Sequence, residues 1–452
     1  MTLYDYFHRD VKKISFFGLG KSNLALMNFL PLSSVRVTIR SDGEIDCGKI
    51  PPAIKPHAIY LGKDSCRHID EDVILFSPSV RRERSALTKA MRRGTLFTSD
   101  AELFFQNATG RILAVSGSDG KSTTSAIAGE LLARSSGAPV IGNIGEPMLP
   151  YTAGNFSEYV VELSSFNLCY LKFAPSRAVL TNITPNHLNW HSSFKEYRDT
   201  KLSLLESAAE PVITFDDPEI RRWAIGRRVF AGVSTELPYN ELKRFVRGEV
   251  YITLEDGFIK RNGAPLIELT KVKRNEPHNI KNLMSALAIT DGCRSDEDAV
   301  GVASEFAGLA HRGELFYTHG GVDFINSSID TTPYRTSVTL KSLDRSLIVI
   351  LGGRGKGLSY DVLLPLLKKY ARYAVVTGED AKKILTSIGG EVRTVLTPNL
   401  RSATQMAIRL SEAGDAVLLS PAATSYDEFQ SFEERGRYFE KIVKEYLENV
   451  EK

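Results

Sequence analysis

Apolar residues fall in short runs along this chain. Each run is closed by glycine or small polar residues, and most lead into a segment with helical spacing. In residues 13–39, "ISFFGLG" is a β-rich run ending in Gly18 and Gly20, "KSNLALMNFL" has the spacing of a helix, and "VRVTIRSD" is a second β-branched strand. "DVILFSPS" predicts another strand ending at Ser77 and Pro78, and the basic stretch "RRERSALTKAMRRG" predicts a helix. Strands alternating with helices predict a parallel sheet.

A second unit starts near Phe97. "RILAVSG" reads as a buried strand and "TTSAIAGELLARSSG" as a helix with a glycine stop. "EYVVELSS" and "RAVLTNIT" read as strands, and "FKEYRDTKLSLLESA" as a helix. Residues 249–272 predict a β-hairpin with Asp256-Gly257 as one turn signal, and "EPHNIKNLMSALAITDG" opens a helix. A third unit begins near His311, with strands in "DFINSS", "SLIVILGGRGKG", "YAVVTGED" and "AVLLSPAATSYDEF". The fold class expected is α/β with three domains. These are a Rossmann-like N-terminal domain (1–96), a central P-loop ATPase-like domain with a mainly parallel sheet (97–308), and a C-terminal Rossmann-like α/β domain (309–452). Ligand loops belong at the carboxyl ends of such strands.

Composition narrows the partners. The 452 residues are 42% hydrophobic and 25% charged, with a net charge of +3. So small a charge gives no reason to expect nucleic acid or an anionic membrane. No apolar run reaches the ~18 residues of a membrane span, and the N-terminus lacks the apolar core of a signal peptide. A cytoplasmic monomer is expected. Cys47, Cys66, Cys169 and Cys293 show no C-x-x-C spacing, which predicts reduced, buried thiols and no zinc site.

Three sets of residues carry candidate chemistry. "GLGKSN" (Gly18 to Asn23) is an incomplete dinucleotide fingerprint, with Asn23 at the third glycine and Asp42 near the acidic position. It reads equally as a tight βα turn or as a phosphate site on a helix N-terminus. The second set, "AVSGSDGKSTTSAI", has the end of a phosphate loop, Gly120-Lys121-Ser122, but Val115 where the early glycine belongs. Gly117 and Gly120 can expose N–H groups to an anion, Lys121 adds a charge, and Ser122 can hold Mg²⁺. The third set is Glu162, which ends a strand, His187, which follows another, and Lys201 on a helix soon after. A carboxylate and an imidazole beside a triphosphate can ligate Mg²⁺.

These motifs, taken in order with "GNIG", "VELSSFNL", "TNITPNHLNWH", "PHNIKN", "HRGELF", "LGGRGKG" and "LSPAATSYDEFQSFEERG", resemble the Mur ligases, ATP-dependent amide-bond ligases of peptidoglycan precursor synthesis. The resemblance runs over nearly the whole chain, and the last motifs look like its D-glutamate-adding branch. It implies the substrates UDP-N-acetylmuramoyl-L-alanine, D-glutamate and ATP, two Mg²⁺ ions and an acyl-phosphate intermediate. It also accounts for Val115, because this family uses the shorter G-x-x-G-K-[ST] loop.

The resemblance assigns residues by role. Gly117, Ser118, Asp119, Gly120, Lys121, Ser122 and Thr123, with His278, Asn279 and Arg312, would bind ATP. Ser122, Glu162, His187 and a carbamylated Lys201 would hold metal; Lys121, Glu162, His187 and Lys201 form the catalytic set. Gly20, Lys21, Ser22, Arg40, Ser77 and Asn143 would meet the UDP-sugar. Thr331, Lys356, Ser420 and Tyr426 would meet the amino acid. The chain departs from the family pattern at Ser79, Asp119, Asn186 and Asn189, and reads Asn326-Ser327-Ser328-Ile329-Asp330-Thr331-Thr332 for the usual N-D-S-K-A-T-N. That change keeps open a Mur-type ligase for another amino acid, such as L-glutamate, and a homologue that binds nucleotide without turnover. A nicotinamide dehydrogenase, suggested by "GLGKSN", ignores two of the three units.

Overall fold

The alternating runs fold into three sheets. The computed structural model describes residues 2–143, 145–343 and 345–450. The first sheet is wholly parallel, in the order Ala58–Leu61, Arg36–Ser41, Lys13–Phe17, Val73–Phe76, Leu96–Thr98. Its strand order reverses between Lys13–Phe17 and Val73–Phe76. Gly18 and Ser77 therefore sit together at the switch point, where open α/β sheets take ligands. The change of unit expected at 96/97 falls inside the last strand of this sheet.

The central sheet has nine strands. Seven run parallel, from Val140–Gly142 at one edge through Glu158–Glu162, Arg111–Ser116, Arg177–Leu180, Glu210–Thr214 and Ala231–Ser234 to Val250–Glu255. Phe258–Arg261 and Ala264–Glu268 complete it antiparallel. The expected hairpin is thus a three-stranded meander. Its second turn, Asn262-Gly263, has both residues at positive φ (52° and 82°), as Asp256-Gly257 has (52° and 77°). Both match the mirror-image turns that suit twisted strands. Apolar side chains cover both faces of this sheet.

The third sheet has six strands in the order Glu314–His319, Val322–Asn326, Ala416–Leu419, Leu347–Gly352, Ala371–Thr377, Thr394–Leu396, with only the first pair antiparallel. The chain divides after Phe306 into two compact units, the first two sheets in one and the third sheet in the other.

The basic helix is shorter than its sequence predicts. It spans Ser85–Arg92, because Arg81, Arg82 and Arg84 are drawn to partners elsewhere. Arg81 stacks on Trp190 at 3.9 Å and meets Glu196 at 3.0 Å. Arg82 pairs with Glu102, and Arg84 with Asp42. These contacts outweigh the weak helical preference of four residues. The cysteines are unpaired as expected, but Cys47 is exposed and the other three are half-buried. Among the described residues no helix is long and apolar enough to cross a membrane.

Candidate functional site

The loop Gly117–Gly120 leaves the buried strand Arg111–Ser116 and turns into the helix Lys121–Ala133. Two neighbours dictate its glycines. Gly117 has φ +148°, and a Cβ there would lie 1.9 Å from Thr181 Oγ1. Gly120 has φ +78°, and its Cβ would lie 2.2 Å from Asn282 Oδ1. The loop is held from outside as well. Ser118 N donates to Asn182 O (2.9 Å), Ser118 Oγ donates to Thr184 O (2.9 Å), and Asp119 N donates to Asn182 Oδ1 (2.9 Å). The Tyr197 hydroxyl lies 2.8 Å from Ser118 Oγ. Lys121 Nζ folds back over the loop, donating to Gly117 O (2.9 Å) and Ser118 O (2.8 Å). A helix N-terminus, whose first-turn N–H groups have no partner within the helix, and an ammonium beside it make an anion cradle. We expect Gly117→Ala to cost about 1–3 kcal/mol of stability and to weaken ADP binding at least about tenfold. Thermal melts and calorimetric titration check both, and unchanged ADP affinity would show that the close approach is not needed.

Glu162 closes the adjacent strand and is fully buried. Its Oε1 accepts from Asn143 Nδ2 at 2.7 Å, while Oε2 has no hydrogen-bond partner. An unpartnered buried carboxylate oxygen costs free energy unless a cation or donor meets it. Lys201 lies across the same strand ends. It is buried, and its Nζ donates to Gly117 O (2.8 Å) and Ser116 Oγ (3.3 Å). Burial, with the charge of Lys121 added, holds its ammonium well below the usual lysine range, against the pull of Glu162 and Asp119. Lys201 and Glu162 thus gather beside the loop as the sequence predicts. Ser122 and Thr123 stand in the first turn of the helix.

His187 has φ +53° and is exposed, its ring 4.9 Å from that of Phe166. The neighbouring His191 is buried against Ser165 Oγ (3.0 Å), and burial pushes its pKa down. Trp190, between them, donates to Ser79 O (2.8 Å) and receives Arg81 on its face, which ties the His187 loop to the switch-point end of the first sheet. Asn279 bonds Glu276 (2.9 Å), and His278 is exposed at the start of the helix Pro277–Ile289.

At the first sheet's switch point, Ser77 Oγ donates to Gly18 O (3.0 Å) and Gly20 N donates to Ser77 Oγ (3.4 Å). Asn23 is buried and its Nδ2 clamps the carbonyls of Gly18 (2.7 Å), Phe17 and Leu75. Lys21 and Ser22 open the following helix, with Lys21 Nζ 2.5 Å from Gly145 O. Arg40 does not join them. It is fully buried and spends all five donors on Glu71 (3.1 and 2.6 Å) and the carbonyls of Ser65, Arg67 and His68. Its expected reach to a diphosphate has no donor left. Asp42 is likewise taken by Arg84 (2.6 and 2.5 Å), which removes the acidic group of the dinucleotide fingerprint.

In the second unit, Lys356 Nζ lies 3.3 Å from Thr331 Oγ1, Tyr426 is exposed, and Arg312 follows the left-handed His311. Ser420 departs from expectation. It is fully buried, its hydroxyl 2.7 Å from Asp330 Oδ2 and 3.0 Å from Thr336 Oγ1, and it offers no surface to an amino acid. Asp330, in place of the family's alanine, draws it inward. Thr181, Asn182, Tyr197 and Asn282 shape the loop, yet the sequence reading assigned them no role. Their signal was their place in "TNIT", "EYRDTK" and "NIKN", beside residues already singled out.

Asp100 pins the segment after Asn143. Buried at the start of the helix Asp100–Asn107, it accepts N–H groups from Met148 (2.8 Å) and Leu149 (2.9 Å). Burial raises its pKa to about 6, against those two bonds. The folded pKa lies above the ordinary 3.8, so ionisation costs the fold above pH 6. That cost is relieved as pH falls from about 6 to 4, where the folded chain takes up a proton that the unfolded chain does not. The melting temperature of Asp100→Asn relative to the parent should therefore be higher at pH 7.5 than at pH 4.5, by a few degrees. A difference independent of pH would remove Asp100 from this account.

Known proteins match this arrangement. Residues 115–290 match the Mur ligase middle domain, and residues 311–423 match the Mur ligase, glutamate ligase domain. The chain is 31% identical to a UDP-N-acetylmuramoylalanine--D-glutamate ligase of Ruminiclostridium cellulolyticum over 97% of this chain and 98% of that protein. It is 32% identical to one of Koribacter versatilis, over 98% and 99%. Among solved structures, UDP-N-acetylmuramate-alanine ligase of Thermotoga maritima superposes with a TM-score of 0.60 at 16% identity, covering 97% of this chain and all of that one. MurF ligase of the same organism, in complex with ADP, gives 0.56 at 15% identity, over 98% and 97%. These two likenesses bear on fold.

Proposed function

The chain belongs to the Mur ligase family, and from that premise we propose that it joins D-glutamate to UDP-N-acetylmuramoyl-L-alanine at the expense of ATP, in peptidoglycan precursor synthesis. The observation that carries this reading is the phosphate cradle Gly117–Ser122 beside the half-satisfied carboxylate of Glu162.

A carboxylate is a poor electrophile, so the L-alanine carboxylate first takes the γ-phosphoryl group of ATP, giving an acyl phosphate and ADP. The amine of D-glutamate then attacks the acyl carbon, and phosphate leaves from the tetrahedral intermediate. Most of the catalysis is positioning and electrostatics. The N–H groups in the first turn of the helix Lys121–Ala133 and the Lys121 ammonium hold the β- and γ-phosphates, since Ser118 N and Asp119 N are already given to Asn182. Asn143, bonded to Glu162, would contact the sugar-linked alanine. The donor set fits two Mg²⁺ ions: Ser122 and Glu162, whose Oε2 is unpartnered, for one, and His187 with a carbamylated Lys201 for the other. Bound Mg²⁺ would neutralise phosphate charge. Lys201 suits carbamylation because its depressed pKa favours the unprotonated amine that CO₂ requires. Gly20, Lys21, Ser22 and Ser77 bind the UDP group, without Arg40. Thr331, Lys356 and Tyr426 receive the amino acid.

One observation favours a second reading, a ligase for another amino acid. Ser420 is turned onto Asp330, and Ile329 stands for the family's lysine. The test is ADP release and product mass with UDP-N-acetylmuramoyl-L-alanine and ATP, given D-glutamate in one arm and L-glutamate in the other. Product with D-glutamate is expected; turnover with L-glutamate alone overturns the D-glutamate assignment.

A further inference from the structure

The first sheet carries a cavity toward the end opposite its glycine turn. It holds about 850 Å³ and is lined by Lys13, Arg36 and Ala58, the first residues of three parallel strands, by Thr38 and Tyr60 further along two of them, by Lys89 and Arg92 of the helix Ser85–Arg92, and by residues of the segment 66–71. Gly18 and Ser77 lie at the other ends of those strands. The cavity has a structural origin. Between Leu61 and Val73 the chain makes only a short 3₁₀ turn, Gly62–Asp64, where a doubly wound sheet usually has a helix. The face of Arg36–Ser41 beneath is left partly open. A parallel strand covered on both sides is normally apolar throughout, yet here Val37 and Ile39 face the core while Arg36 and Thr38 line the cavity.

Its charge is one-sided. Lys13 is paired with Asp70 (2.5 Å), and Glu71 is consumed by the buried Arg40 (2.6 Å). Arg93 donates to the Ile69 carbonyl (2.9 Å). Arg36 shares the field of the Asp70 carboxylate with Lys13, while the side chains of Lys89 and Arg92 make no hydrogen bond or ion pair among the described residues, and all three reach the same cavity. Like charges gathered in a concave wall repel one another unless an anion joins them. The lining also carries three rings, His57, Tyr60 and His68, with Tyr60 and His68 ring centroids 6.5 Å apart and the guanidinium of Arg40 over the Tyr60 ring at 4.7 Å. The volume lies within the range of small-molecule sites, about 300–1,000 Å³.

We propose that this cavity is a second ligand site, binding a nucleoside di- or triphosphate with its phosphates on Arg36, Lys89 and Arg92 and its base against the rings of His57, Tyr60 and His68. Guanidinium forks suit phosphate oxygens, and a flat base suits the three rings. The basic stretch "RRERSALTKAMRRG", which the ligase reaction leaves unused at its C-terminal end, supplies Lys89 and Arg92.

Hydrogen–deuterium exchange of the full chain with ADP tests this. ADP should protect peptides covering residues 57–72 and 85–93 as well as the loop at 116–124. In the triple variant Arg36→Gln, Lys89→Gln, Arg92→Gln, protection of the first two should fall at least tenfold in apparent affinity, while protection of 116–124 stays. That retained protection serves as the control for folding and for the catalytic loop. Absence of protection at 57–72 and 85–93, or protection unchanged in the triple variant, would overturn the proposal. Pyrophosphate and adenosine as separate probes divide the site: pyrophosphate protecting as well as ADP would overturn the assignment of the base.

Discussion

Replacing Lys121 by alanine is expected to lower kcat/KM for ATP by about 10²–10³-fold, the usual cost of removing one preorganised charge from a transferring phosphoryl group. In the structure Lys121 Nζ rests on two carbonyls of its own loop, at 2.9 and 2.8 Å. The ammonium is thus already held at the loop, next to the first turn of the helix where a phosphate would sit. The fold loses little when the side chain goes. Gly117 O keeps Lys201 as a donor, at 2.8 Å. The expected signature is therefore a large loss of ADP release with a melting temperature within a few degrees of the parent. Steady-state ADP release and a melt of the same sample separate the two effects. An alanine variant that turns over normally would remove the loop from phosphate chemistry, and with it the proposed reaction.

What the sequence made legible follows a physical pattern. Local backbone demands were readable. Gly117 and Gly120 announce positive φ values, and their order between a buried strand and a helix placed the cradle. Glu162 and Lys201 could be placed because each follows or lies within an element that the periodicity predicts. Long-range polar partnerships were not readable. Arg40 has the charge to meet a diphosphate, but its fate is set by Glu71 and three carbonyls of a loop that only the fold brings over it. Ser420 keeps its motif position, yet one substituted neighbour, Asp330, turns its hydroxyl inward. The start of the basic helix moved for the same reason, since Trp190, Glu102 and Asp42 attract Arg81, Arg82 and Arg84 out of it. The second turn of the meander was not read, although Asn262-Gly263 is as strong a hairpin signal as Asp256-Gly257 and would have given it.

Lys201→Met should separate stability from activity in opposite directions. The side chain is buried to 1% exposure, beside the charge of Lys121, and both facts depress its pKa far below the ordinary 10.5. At neutral pH the native fold therefore carries an unfavourable buried amine, and an apolar side chain of similar length removes it. The polar groups left behind stay satisfied: Gly117 O still accepts from Lys121 Nζ (2.9 Å), and Ser116 Oγ still donates to Leu163 O (2.7 Å). Replacing buried charge by well-packed apolar volume is commonly neutral or stabilising by about 1–4 kcal/mol. The melting temperature should rise by several degrees in CO₂-depleted buffer. Ligase activity should fall by about 10³-fold, because the position loses the only atom that CO₂ could convert into a carboxylate-like ligand. A ¹³C-bicarbonate carbamate signal, present in the parent and absent in the variant, ties the loss to that modification. If the variant melted lower and kept its turnover, Lys201 would be a structural lysine, and the second metal position would have to be built from His187 without it. A lysine that weakens the fold and carries the reaction is the trade expected of a catalytic group, and this pair of measurements distinguishes it from a core residue that packs well.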